Sequence, residues 1–195
     1  MPYGTGANKS PYDLRTFAFK PAVPHIKGGT RYQPIDIEHQ HTVGICTAIS
    51  MTENASKALG NRFSADFQYL LQKKFYDLNW NEGSSIISAL KVAKNIGLLP
   101  KVEFDKWITE EDRKLPYWQY IQKLQAVPDS EIERLKGVAI PYKIMAYASV
   151  PVDRDSMASA ITESRAGILA RYDLGSEWWV SPIEPLRPPK NPISG

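Results

Sequence analysis

Cysteine occurs once in this chain, at position 46, within the run Gln40-His41-Thr42-Val43-Gly44-Ile45-Cys46-Thr47-Ala48-Ile49-Ser50. Beyond it, Ala48, Ile49, Ala55, Ala58 and Leu59 recur at helical spacing, and Gly60 stands where a helix would stop. The spacing predicts a helix with Cys46 in its first turn. At that position unpaired backbone N–H groups and the positive end of the helix dipole favour a thiolate, so the sequence alone predicts a lowered thiol pKa and a nucleophile. Gly44, lacking a Cβ, allows a sharp turn into the helix and a close approach by a substrate backbone. A six-residue loop brings the side-chain amide of Gln40 back toward the sulfur, where it and the Cys46 backbone N–H can hold an oxyanion. The competing reading is a small buried core cysteine.

These residues resemble the papain-like cysteine peptidases. In that family a glutamine is followed after five residues by the nucleophilic cysteine, which opens a long helix and has a glycine two places before it. Gln40, Gly44 and Cys46 match those positions. The resemblance implies an oxyanion-hole role for Gln40, a nucleophile role for Cys46 and a two-lobe α+β fold. Many members carry tryptophan after the cysteine, whereas this chain has Thr47, which is closer to bacterial and phage relatives.

The 195 residues suffice for one domain, or two small lobes sharing an interface. Hydrophobic residues make up 43% and charged residues 23%, as in ordinary globular proteins. The 24 basic and 21 acidic residues leave a net charge of +3 with no long run of either sign, so no nucleic-acid footprint is visible. One cysteine permits neither an internal disulfide nor a cysteine-cluster zinc site, which suits a reducing compartment. The N-terminus lacks the basic and apolar regions of a signal peptide, and nowhere are there eighteen consecutive apolar residues. The expectation is a cytoplasmic or virion protein, neither secreted through a signal peptide nor membrane-bound, with no metal or cofactor.

Residues 1–35 read as an extended arm, because prolines at 2, 11, 21, 24 and 34 and glycines at 4, 6, 28 and 29 exclude long regular elements. Within it, Tyr12-Asp13-Leu14-Arg15 loosely resembles the opening of many papain-like domains. Residues 36–180 form the expected papain-like domain. Ser64 caps a second helix with the stripe Phe67, Leu70, Leu71, Phe75 and Leu78, and Asp66 in its first turn suits the dipole. A polar loop, Asn79-Trp80-Asn81-Glu82-Gly83-Ser84-Ser85, then leads into a third helix bearing Ile86, Ile87, Leu90 and Ala93 and ending at Gly97. This loop, with the Gly97-Leu98-Leu99-Pro100 exit, resembles bacterial papain-like proteins, in which the loop glycine lines the cleft and pairs with substrate backbone. Gly83 holds the corresponding position, and a plain helix-entry turn is the alternative.

Phe104, Trp107, Tyr117, Trp118 and Tyr120 read as packing between lobes. Ser130-Glu131-Ile132-Glu133 reads as a capping box opening a short helix that Gly137 closes, and residues 138–150 as a strand interrupted near Pro141. Asp153 caps a helix carrying Met157, Ala160 and Ile161, and residues 167–172 and 177–180 read as strands. A Pro-rich tail, residues 181–195, follows.

The papain-like mechanism needs an imidazole from the β-rich lobe, and no histidine follows His41. His25, His39 and His41 all precede the cysteine. Four readings result. One is the cysteine-bearing part of a papain-like peptidase whose histidine lies beyond Gly195. Another is a catalytically inactive papain-fold assembly module, for example a phage virion component, contacting neighbouring subunits through its Pro-rich arms. A different cysteine acyl-transfer enzyme and a domain with an incidental cysteine complete the set. The fold expectation is α+β, with a helical lobe, a truncated β-rich lobe from about residue 138, and Cys46 at their interface.

Overall fold

A computed structural model describes residues 7–8, 17–18, 38–164 and 167–170. Its framework is helical: α1 Cys46–Leu59, α2 Ala65–Gln72, α3 Ile86–Asn95, α4 Tyr117–Gln125, α5 Asp129–Ala139 and α6 Arg154–Ser164. Strand structure among the described residues is confined to two-residue pieces. Ala7–Asn8 (β1) pairs in parallel with Ser84–Ser85 (β3), and Phe17–Ala18 (β2) pairs in parallel with Ala148–Ser149 (β4). The architecture is thus the expected α+β, a helical lobe with a minimal β component.

Local rules set several helix ends. Gly60 closes α1 in the left-handed conformation (φ 71°), and its N–H donates to the Ser56 carbonyl. The Ser64 and Ser85 hydroxyls accept from the backbone N–H of Phe67 and Ser88, capping α2 and α3. Asp153 accepts from Ser156 N–H at the start of α6, as its position in the sequence predicts.

One core joins Ala48 of α1, Phe67, Leu70 and Leu71 of α2, Tyr120 and Leu124 of α4, and Ile132 and Leu135 of α5. Each fully buried leucine contributes about 2 kcal/mol. Phe104 and Tyr120 belong to this helical core, while Trp118 lies 60% exposed, so the aromatic run does not act as one inter-lobe layer. A second cluster places Met51 and Ala55 of α1 against Ala89 and Ala93 of α3. Gly97 lets α3 end hard against α5: its φ is 114°, and a Cβ there would lie 2.1 Å from the Ala139 carbonyl oxygen.

Four expectations are corrected. The stripe of the second helix stops at Leu71, because the helix widens into a π-helical turn over Lys73–Asp77 that rotates Phe75 and Leu78 outward. Residues 138–150 are not a strand. Helix α5 begins after Pro128 rather than at Ser130, runs through Gly137 and continues as a 3-10 turn over Ile140–Tyr142, leaving only Ala148–Ser149 extended in a pair. Residues 167–170 are irregular rather than β. The Tyr12-to-Arg15 match, residues 171–172, the strand expected at 177–180 and the tail at 181–195 lie outside the described residues. No helix among the described residues is long and apolar enough to cross a membrane.

Candidate functional site

Cys46 is the first residue of α1, as its spacing predicts, and it is half-buried. Ile45 precedes it without a side-chain cap, so the first N–H groups of the helix are left to the sulfur. Around Cys46 lies a recess of about 40 Å³ bounded by Thr47, Ser50, Ile86, Leu169 and Ala170. Segment 167–170 is held there by α1 itself, since Asn54 Nδ2 donates to the Gly167 carbonyl at 2.8 Å and Asn54 Oδ1 accepts from Gly167 N–H. A larger cavity of about 430 Å³, lined by Leu70, Lys73, Trp80, Leu124 and Ile132 among others, has no Cys46 in its wall.

The thiol departs from the simple dipole expectation. Burial pushes the Cys46 pKa up, and the backbone N–H groups of Thr47 and Cys46 only partly offset it. Desolvation penalises the thiolate more than the helix terminus favours it.

Gln40 opens the loop into α1 and is half-buried; its carbonyl accepts from Val43 N–H at 3.4 Å. His41, next to it, takes a left-handed φ of 56°, which bends the loop. Both histidines are engaged within this neighbourhood. His39 Nδ1 accepts from His41 N–H, and His41 Nε2 lies 3.1 Å from Glu110 Oε1, a contact that holds the Glu110 carboxyl below its usual range. No described histidine lines the Cys46 recess.

The loop is fixed from behind by Arg113, whose side chain is 1% exposed. Its Nε and Nη2 form a two-pronged pair with Asp66 at 2.9 and 2.6 Å, Nη2 also reaches Glu38 at 2.6 Å, and Nη1 donates to the His39 carbonyl. The Arg113 carbonyl in turn accepts from Thr42 N–H and Oγ1. Tyr120 donates to Asp66, and Lys101 donates to Glu38. This cluster carries the Gln40 loop, yet its members lie 47 and 75 residues from one another in sequence. No local pattern marks them.

Gly83 sits across from that loop with φ 81°, a value that favours glycine. Its carbonyl is clamped by the buried ammonium of Lys73, and Tyr69 O–H lies 3.4 Å away. Lys73 also pairs with Asp77 at 3.2 Å, and Asp77 accepts from Ser88 Oγ, which is joined to the α3 cap Ser85. Tyr117 O–H donates to the Asn81 carbonyl, so the 2.8 Å contact between the hydroxyls is donated by Tyr69. Gly44 and the Gly83 loop meet through Glu82: a Cβ on Gly44 would fall 2.7 Å from Glu82 Cγ. Glycine at position 44 therefore makes room for Glu82. Among the described residues, no three His, Cys, Asp or Glu side chains converge as a metal site.

Compared with known proteins, the chain matches no family model and no curated sequence. Its fold does match a solved structure, Xylellain, a cysteine protease from Xylella fastidiosa, with a TM-score of 0.61 and 20% sequence identity. The match covers 82% of this chain and 63% of that one. The fold is papain-like.

Proposed function

We propose that this chain is the cysteine-bearing part of a papain-like thiol peptidase. In this reading Cys46 attacks a peptide carbonyl, Gln40 and the Cys46 backbone N–H hold the oxyanion, and Gly44 and Gly83 border the bound substrate. The sulfur forms a thioester as the C–N bond breaks and the amine leaves with a proton. Water then hydrolyses the thioester, releasing the acid and restoring the thiol. The imidazole that moves those protons comes from outside the described residues.

The observation that carries this reading is the parallel pairing of Ala7–Asn8 with Ser84–Ser85, directly after Gly83. An edge beside the cysteine loop already accepts an extended backbone, which is how a cleft takes a polypeptide by strand addition. The test is alkylation of Cys46 by a peptidyl epoxide, followed by intact mass. Saturating kinetics and loss of the adduct in Cys46→Ser support the reading. A rate linear in probe and equal to that of a free thiol overturns it.

A second reading, a papain-fold binding or assembly module without turnover, is favoured by the raised Cys46 pKa and by the engagement of His41 with Glu110. Saturable labelling with no cleavage of peptide substrates selects it.

A further inference from the structure

We infer that Glu82 is a specificity-determining residue that selects a cationic side chain, arginine or lysine, on the acyl side of the bond presented to Cys46. The inference rests on the proposed peptide-binding reading of the cleft.

Glu82 lies where the two loops of the cleft meet. Its side chain fills the space left by the missing Cβ of Gly44, two residues before the cysteine, with Cγ 2.7 Å and Oε1 3.0 Å from that position. Its own backbone leads directly into Gly83 and the β3 edge that accepts extended chain. A peptide that took the place of Ala7–Asn8 at that edge, with its carbonyl at Cys46, would pass Glu82 between the two points.

One oxygen of this half-buried side chain is also unsatisfied. Oε1 is buried, and no donor among the described residues meets it. The hydroxyl that its charge acts on, Tyr117, is committed to the Asn81 carbonyl. The ammonium of Lys73, the buried lysine behind this loop, is spent on Asp77 and the Gly83 carbonyl. A buried carboxylate oxygen without a donor is costly, and a charge-assisted hydrogen bond from a ligand cation relieves that cost. A neutral or acidic side chain leaves it in place or worsens it, so the same group that attracts arginine rejects glutamate.

The test uses the full chain and two peptidyl acyloxymethyl ketones that differ only at the residue bearing the electrophile, arginine in one and its neutral isostere citrulline in the other. Intact mass gives the second-order rate of Cys46 alkylation by each. The wild-type protein should favour the arginine probe by about tenfold or more, and Glu82→Gln should bring the ratio close to one. Equal wild-type rates, or a preference that survives Glu82→Gln, overturn the assignment; the wild-type ratio alone decides if the variant does not fold. If neither probe saturates while iodoacetamide still labels Cys46, the peptide-cleft reading itself fails and the assignment falls with it.

Discussion

Replacing Arg113 by alanine removes, among the described residues, the only cation paired with Asp66 and one of the two paired with Glu38. The two carboxylates stay buried, with side chains 6% and 5% exposed. Tyr120 O–H still serves Asp66 at 2.8 Å, and Lys101 still serves Glu38 at 2.9 Å. Breaking one side of such a buried ionic cluster costs about 3–5 kcal/mol, mostly the penalty of the charges left behind. Its pH dependence follows from Glu38. Burial raises that carboxyl, but the charge of Arg113 and hydrogen bonds from Lys101 and Arg113 outweigh it, and the folded pKa lies below 4.5. In the wild type this stabilisation is fully present above pH 4.5 and is lost as pH falls through the folded value. Without Arg113 burial dominates, the folded pKa rises, and protonation relieves the variant as pH falls. Urea unfolding near pH 7 should therefore show the full deficit, and near pH 4 a smaller one. A loss under about 1 kcal/mol near neutrality, or a deficit that grows toward acid, refutes the clamp.

Gly97→Ala should cost about 3 kcal/mol or more by urea unfolding, because the added Cβ meets backbone at Ala139 and the φ of 114° strains any L side chain. Ser64→Ala and Ser85→Ala should each cost about 1 kcal/mol as lost caps, the second somewhat more because Ser85 also bonds Ser88, read by thermal melts. Iodoacetamide labelling of Cys46 should rise with pH to a midpoint above 9.0, since the thiolate fraction near neutrality falls as the pKa rises; a midpoint below 8 would reveal a base close to the sulfur.

What the sequence made legible was local. The start of α1 at Cys46, its stop at Gly60 and the serine caps at 64 and 85 depend on neighbours a few residues away, and the structure holds each of them. Features that depend on distant partners were not legible. Gly137 reads as a stop, but Ile132, Leu135 and Ala139 form a buried stripe that carries α5 through it, and the glycine faces open space. Arg113 reads as one surface charge in Glu110-Glu111-Asp112-Arg113-Lys114, although its partners are Asp66 and Glu38. The thiol shows the same division: the helix start is visible in the sequence, while the burial that reverses its effect comes from packing.

These distant contacts share one geometry. The Gln40 loop is held from behind by Arg113, Asp66 and Glu38, and the Gly83 loop by Lys73, Asp77 and Ser88. Both sets hang from α2 and its π-helical extension, because Asp66 lies in its first turn and Lys73 just past its end. A single helix thus sets the spacing of the two loops that flank Cys46. Rigid support of this kind matters most when groups must meet a transient charge without rearranging, since reorganisation at the moment of reaction is what a catalytic site must avoid. Arg113 with Asp66 and Glu38, and Lys73 with Asp77, hold the Gln40 and Gly83 loops at a fixed spacing on either side of Cys46.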